Sequence, residues 1–255
     1  MNELPAIALT SEEILRIFKS CNTQALLVGG QALAYWAMEF QIRPRGILQD
    51  GVTRDVDFIG SAAVAQTVFE SLRPMGWRFW RAPFDDAGSQ TAKISKRIEG
   101  VGIKQIDFLT GIIGIDTEKI RKRAVSVRLA DGTGIKVLHP IDVLESRLKN
   151  LASIPSKRDA QGIAQANLAL EIAAAYLNSM LAREPRQLLN ALKAVIRIAE
   201  DKSLDPVFHD YGIEPLSIVP AAQVPVDDFK DREWPLVLAR IDRQRRAYGD
   251  RIAAR

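Results

Sequence analysis

Three aspartates lie in apolar stretches of the sequence that predict strands, and their spacing suits a metal-binding site. Asp55 and Asp57 alternate with Val56 and Phe58, so a strand places both carboxylates on one face and the apolar side chains on the other. Two carboxylates in one small volume repel each other unless a cation lies between them, and hard oxygen ligands suit Mg²⁺ or Mn²⁺. Asp107, in the later segment QIDFL, can supply a third carboxylate if the two strands are neighbours.

A glycine pair precedes these aspartates. Gly29 and Gly30 separate the apolar run 25–28 from the helix-like segment QALAYWAMEF. A strand-to-helix turn without side chains lets phosphate oxygens approach backbone N–H groups and the N-terminus of the helix. Two cations about 4 Å apart can then hold a triphosphate and an attacking hydroxyl in line, so little covalent chemistry is left to the protein.

The elements that must position these residues alternate between helix and strand in the first half of the chain. Thr10 and Glu13 have the spacing of a capping box and predict a helix near 11–20. A third helix, after those near 11–20 and in QALAYWAMEF, is predicted in SAAVAQTVFESL, which follows the strand that carries Asp57. Further strands are predicted in WRFWR, TAKISKRIE and VGIKQIDFL, followed by a hairpin around Asp131 and Gly132.

After His139 the apolar residues recur at helical intervals, in segments rich in Ala and Leu. Five prolines between 206 and 235 predict an irregular connector over 205–235 before a last helix. We therefore predict an α+β domain at 1–138, built on a mixed sheet with flanking helices, and a helical C-terminal domain at 139–255.

The order of these motifs resembles the nucleotidyltransferase superfamily of the DNA polymerase β type. The match consists of LLVGGQALAYWA at 26–37, TRDVDFIG at 53–60 and QIDFL at 105–109. Within the superfamily the sequence looks most like the bacterial branch that includes the AbiE-like toxins. The resemblance implies a nucleotidyltransferase-like sheet and transfer of a nucleoside monophosphate from an NTP to a hydroxyl of RNA (a tRNA, for example), a protein or a small molecule. It also implies a place in a toxin–antitoxin pair with a cognate antitoxin.

The resemblance implies a role for each matched residue. Asp55 and Asp57 would ligate Mg²⁺ or Mn²⁺, and Asp107 would ligate the catalytic ion and help to deprotonate the acceptor hydroxyl. The candidate nucleotide contacts are Gly29, Gly30, Gln31 and Arg54. The helix after the sheet would supply a basic residue to the triphosphate, for which Lys149 is favoured over Arg147, Lys157 and Arg158.

Two departures from the pattern keep other hypotheses open. Gln31 stands where Ser or Thr is common, and Asp55 follows Gly30 by 25 positions, longer than the usual spacing, with IRPRGILQDG as the apparent insertion. The alternative is a non-catalytic nucleotide- or partner-binding module on the same fold. A third hypothesis, an antibiotic-modifying nucleotidyltransferase, would need an acidic acceptor cleft, for which Asp85 and Asp86 are the candidates.

Other aromatic, basic and histidine residues are expected to be structural. His139, before Pro140, is expected to make a local hydrogen bond at a helix start. The aromatic residues expected in the core, rather than as platforms for base stacking, are Tyr35, Trp36, Trp77 and Trp80. The cations expected to face solvent are Lys93, Lys96, Arg97 and Lys104, with Arg43 and Arg45 in the loop.

Composition limits the classes of protein that remain. The 255 residues include one cysteine, Cys21, which excludes an internal disulfide framework. The net charge of +4 resides in residues 230–255, where we expect a solvated helical face. We find neither a signal-like N-terminus nor about 18 consecutive apolar residues, and expect a cytoplasmic protein without a membrane partner.

Overall fold

The structure, a computed structural model, describes residues 5–83, 88–181 and 183–254. The chain divides into two compact units, Met1–Met38 with Arg43–Ser146 and Glu39–Ile42 with Arg147–Arg255. The predicted α+β class, with a mixed sheet and a helical C-terminal part, is confirmed. The boundary after residue 138 stays a prediction.

In chain order the elements up to residue 153 are α1 (Ser11–Cys21), β1 (Leu26–Val28), α2 (Gly29–Glu39), β2 (Val56–Ile59), α3 (Ala62–Leu72), β3 (Arg78–Arg81), β4 (Gln90–Ile98), β5 (Gly102–Leu109), α4 (Thr117–Arg123), β6 (Val125–Arg128), β7 (Gly134–Val137) and α5 (Pro140–Ser153). The seven strands form one sheet in the order β3-β4-β5-β2-β1-β7-β6. The pairs β2–β5 and β1–β7 are parallel, and the other neighbours are antiparallel.

Aromatic packing fixes one face of the sheet as the core face. Phe58 of β2 stacks on Phe108 of β5 at 5.4 Å between ring centroids and meets Phe18 of α1 edge-on at 6.2 Å. Phe69 of α3 stacks on Phe79 of β3 at 5.4 Å. Because successive side chains of a strand point to opposite faces, the residues between these phenylalanines lie on the other face.

The capping box of α1 is confirmed, and it has a further partner. The Thr10 amide donates to Glu13 Oε2 at 2.8 Å, and the Glu13 amide donates to Thr10 Oγ1 at 3.2 Å. Lys104 Nζ of β5 lies 2.7 Å from the same Glu13 oxygen, with both side chains largely buried. The expectation that Lys104 faces solvent is therefore wrong, because it forms a buried ion pair that joins α1 to the sheet.

The second unit is helical, with α6 (Ala160–Leu181), α7 (Pro185–Glu200), α8 (Asp205–Tyr211) and α9 (Trp234–Ala253). Helix α8 corrects the prediction of an irregular connector over all of 205–235. Pro206 lies in the first turn of α8, where a missing N–H group costs nothing, and Gly212 ends the helix with φ +65°. In the described part of the chain we find no helix with the length and apolar character that crossing a membrane requires.

Candidate active site

The centre of the candidate site is a pair of carboxylates on neighbouring strands. Asp57 of β2 and Asp107 of β5 are direct register partners in the parallel pair. Both lie on the face opposite the phenylalanine core, because Phe58 and Phe108, one residue further along each strand, stack on the core face. The arrangement that the sequence predicted only for neighbouring strands is therefore realised for Asp57 and Asp107.

Asp55 lies just outside the strand in which we expected it, since β2 begins at Val56. Its side chain is half-buried, and it lies close enough to Asp107 for its negative charge to raise the pKa of the Asp107 carboxyl. Asp55 therefore interacts electrostatically with Asp107, although it is not itself paired with β5.

Burial raises the pKa of Asp107 above its ordinary value. Amide hydrogen bonds oppose this effect: Gln105 Nε2 donates to Asp107 Oδ2 and Gln90 Nε2 donates to Asp107 Oδ1, each at 2.5 Å. The Lys93 ammonium, 4.0 Å from Asp107 Oδ1, also lowers this pKa, but it remains raised overall. The Asp107 carboxylate is therefore fixed by two hydrogen bonds and partly shielded from solvent.

The glycine pair lies directly against the acidic site. Helix α2 begins at Gly29, whose φ is +64°. A Cβ atom at Gly29 would stand 2.0 Å from Asp57 Oδ2, and one at Gly30 would stand 2.4 Å from Thr53 Cβ. Both positions therefore require glycine, and the bare backbone that opens α2 adjoins the Asp57 carboxylate.

The residues present suit a divalent ion that is bound partly by substrate. Among the described residues, no group of three or more His, Cys, Asp or Glu side chains is arranged to hold a metal ion. Asp57 and Asp107 nevertheless provide two adjacent carboxylates, and Mg²⁺ is commonly bound by one or two carboxylates together with waters and substrate phosphates. The three-carboxylate site with Asp55 stays a prediction.

The other candidate nucleotide contacts of the first unit lie on α2 and in the loop that follows it. Gln31 is half-buried in the first turn of α2. Arg54 is exposed and donates from Nη1 to the Ala6 carbonyl at 3.1 Å. Arg43 and Arg45 line a loop cavity of about 520 Å³. Roles for Gln31 and Arg54 in nucleotide binding stay predictions.

Three of the four basic candidates after the sheet have local partners inside the second unit. Lys149 Nζ is 2.5 Å from Asp201 Oδ2 and 2.9 Å from Ser203 Oγ. Arg147 donates to Gln165, and Arg158 donates to two backbone carbonyls at the end of α5. Lys157 lies exposed in a short 3₁₀ turn. A contact of Lys149 with a triphosphate stays a prediction.

The aromatic expectations hold for two tryptophans and fail for a third. Trp36 is buried and donates to the Leu138 carbonyl at 2.7 Å, and Trp77 is 3% exposed. Trp80 is 45% exposed, so its assignment to the core is wrong. The reason is its place on β3, an edge strand, on the face away from the phenylalanine core.

Sequence reasoning missed the two glutamines that hold Asp107. The alternation Gln105-x-Asp107 on one strand face was a usable signal for Gln105. Gln90 is 17 positions away, and only the pairing of β4 with β5 brings it to Asp107.

The prediction that His139 makes a local hydrogen bond at a helix start is confirmed. His139 Nδ1 accepts a hydrogen bond from the Ile141 amide at 3.2 Å, at the start of α5. Burial and the nearby charge of Arg123 lower the pKa of His139 to about 3, so this side chain is neutral at physiological pH. Asp85 and Asp86 lie outside the described residues.

No protein-family model matches the sequence, and no curated protein matches it. Among solved structures, the chain is similar to the Megavirus polyadenylate synthase, with 14% identity and a TM-score of 0.40. The alignment covers 70% of this chain and 37% of that protein, so this chain spans little more than a third of the length of its structural neighbour.

Proposed function

We propose that the chain is a nucleotidyltransferase that moves a nucleoside monophosphate from an NTP to an acceptor hydroxyl and releases pyrophosphate. The observation that supports this most strongly is the register pair Asp57–Asp107 beside the bare backbone of Gly29. Acidic ligands and a side-chain-free helix start are the two parts that a metal-bound triphosphate needs.

Asp57 and Asp107, assisted by Asp55, would hold Mg²⁺ or Mn²⁺. When bound, such an ion neutralises the charge that develops on the phosphate oxygens. The close approach of Gly29 to Asp57 supports this proposal, because the backbone proposed to bind phosphate lies beside a proposed metal ligand. Gln31 and Arg54 would add contacts to the nucleotide, and Lys149 is the residue proposed to contact the triphosphate.

Asp107 is the residue proposed to accept the proton of the acceptor hydroxyl. The acceptor oxygen forms a bond to the α-phosphorus, the bond to the α–β bridging oxygen breaks, and the proton passes to an Asp107 carboxylate oxygen. A raised pKa makes Asp107 a stronger base than an ordinary aspartate. Gln90 and Gln105 would keep its carboxylate in position during the transfer.

A second candidate function is a non-catalytic nucleotide- or partner-binding module, including one member of a toxin–antitoxin pair. The observation that favours it is the occupation of both Asp107 oxygens by glutamine amides, with Lys93 nearby. A carboxylate held in this way is a weaker ligand for a metal ion than an open one.

The two functions are separated by a transfer assay with each α-labelled NTP, Mg²⁺ or Mn²⁺, and RNA, protein and small-hydroxyl acceptors in turn. Asp57→Asn should lower transfer at least about 100-fold, since it removes a ligand that contributes several kcal/mol to charge stabilisation. Glu99→Gln, an exposed acidic residue of the β4–β5 turn, is the matched control and should retain full activity. NTP binding without transfer to any acceptor would favour the non-catalytic module.

A further inference from the structure

A row of side chains crosses the sheet at the level of the acidic pair. Asp57 is the register partner of Asp107, Asp107 of Lys93 on β4, and Lys93 of Trp80 on β3. Register partners share one face, so these four side chains form a line from the middle of the sheet to its edge strand. Gly29 adjoins Asp57 at the other end of the line.

The two ends of this row differ in chemistry. The glycine end offers backbone N–H groups and no side chains, which suits phosphate oxygens. The other end offers Trp80, a residue that is 45% exposed, and next to it the Lys93 side chain, which is 36% exposed. If the triphosphate of the proposed reaction occupies the glycine end, the acceptor must approach from the end with Lys93 and Trp80.

The edge strand β3, which carries Trp80, and its neighbour β4 are cationic. The sequences of β3, RFWR, and of β4, QTAKISKRI, contain five basic residues and no acidic one. Strand alternation places three of the basic side chains on the face of the row, namely Arg78, Lys93 and Arg97. The part of this face formed by β3 and β4 therefore complements a chain of negative charges.

We propose that the acceptor is the end of a single-stranded nucleic acid, with one base stacked on Trp80 and a phosphate at Lys93. This inference rests on the proposed function for the position of the triphosphate. Trp80 and Asp107 are two strand spacings apart, about 10 Å. A nucleotide stacked on Trp80 can therefore reach the acidic pair with its own or the next sugar hydroxyl, and aromatic stacking accepts every base.

The test is binding of fluorescein-labelled single-stranded RNA and DNA of about 12 nucleotides to the full chain, measured by anisotropy without NTP and in EDTA. Trp80→Ala should weaken binding about 5- to 100-fold, and Trp80→Phe should retain most of it. Lys93→Gln should weaken binding and lower the slope of log K against log salt by about 0.7. Lys96→Gln is the matched control, because Lys96 lies on the same strand as Lys93 but on the opposite face. The affinity of this variant for the nucleic acid should stay within about twofold of the wild-type affinity.

Quenching of tryptophan emission by RNA provides a readout that does not depend on loss of binding. It should occur in the wild type and disappear in Trp80→Phe, which keeps the other three tryptophans. Absence of binding, or equal binding by wild type and Trp80→Ala, would overturn the inference, as would transfer of the label only to protein or small-molecule acceptors.

Failure of this inference and failure of the proposed function are distinguishable. Nucleic-acid binding in EDTA requires neither the metal nor the NTP, so its loss leaves metal-dependent NTP binding at Asp57 open to measurement. Conversely, Trp80-dependent binding without any transfer would support the nucleic-acid site and contradict the nucleotidyltransferase proposal.

Discussion

Gly29 lies so close to Asp57 that a methyl group on its Cα would stand 2.0 Å from the Oδ2 atom of that aspartate. No real Cβ atom approaches an oxygen so closely, so the Asp57 side chain keeps its position only while residue 29 is glycine. The glycine at the start of α2 and the position of the Asp57 carboxylate therefore depend on each other.

Gly29→Ala should abolish divalent-ion-dependent NTP binding, because its methyl group displaces Asp57. Gly46→Ala is the matched control, since Gly46 also has a positive φ, +56°, but a Cβ there meets nothing within 4 Å. Both variants should lose about 1–2 kcal/mol of stability from left-handed backbone strain, and isothermal titration with an NTP and Mg²⁺ should separate them. Equal NTP affinity of the two variants would contradict a role for this contact.

Asp107→Asn should stabilise the protein at neutral pH while it removes transfer activity. Because the pKa of Asp107 is higher in the folded chain than its ordinary value of 3.8, the folded state binds protons more readily. The unfolding free energy therefore falls as pH rises from about 3.8 through the folded pKa, and asparagine removes this loss. We expect the Tm at pH 7 to rise above that of the wild type, because the folded state no longer buries a charged carboxylate.

The measurement for Asp107→Asn is thermal unfolding at pH 7 and at pH 4, where the gain should shrink. Glu99→Gln should leave the Tm unchanged at both values. A lower Tm of Asp107→Asn at pH 7 would show that its hydrogen bonds with Gln90 and Gln105 outweigh the cost of burying the charge.

His139 should make the fold sensitive to acid. Its folded pKa of about 3 lies below the ordinary value of 6.5, so the unfolded chain binds the proton first as pH falls. The unfolding free energy should drop from about pH 6.5 downward by at most about 1.4 kcal/mol per pH unit, or about 2 kcal/mol by pH 5. His139→Asn keeps a hydrogen-bond acceptor at the helix start and should remove this dependence in urea titrations. The control His209→Asn, at an exposed position, should retain it.

Lys149→Met should lower the unfolding free energy by about 1–3 kcal/mol, because it removes the ammonium group that donates to Asp201 Oδ2 and Ser203 Oγ. Adding Asp201→Asn should recover part of that loss, as measured by urea unfolding. The KM of the double variant for NTP then tests whether Lys149 also contacts the triphosphate. A triphosphate contact predicts a KM raised about tenfold or more, and an ion pair alone predicts the wild-type value.

Local sequence signals were sufficient for most elements and for the orientation of the carboxylates. The Thr10–Glu13 spacing marked the start of α1, and alternation with apolar residues set which face Asp57 and Asp107 occupy. These signals depend on residues a few positions apart, so the backbone geometry of a single helix or strand is enough to interpret them. The same local reasoning fails for α8, because the prolines predict an irregular connector over 205–235 although Pro206 occupies a helix position that tolerates proline.

The sequence by itself determined most of the elements, the acidic and glycine motifs, and the faces on which Asp57 and Asp107 lie. Only the tertiary structure decided that β5 lies between β4 and β2, which makes Asp107 the neighbour of both Asp57 and Lys93, and that β3 is an edge strand, which leaves Trp80 exposed. The physical reason is that strand order results from pairing between distant segments, and its free energy depends on the packing of the whole sheet rather than on the residues of any one strand.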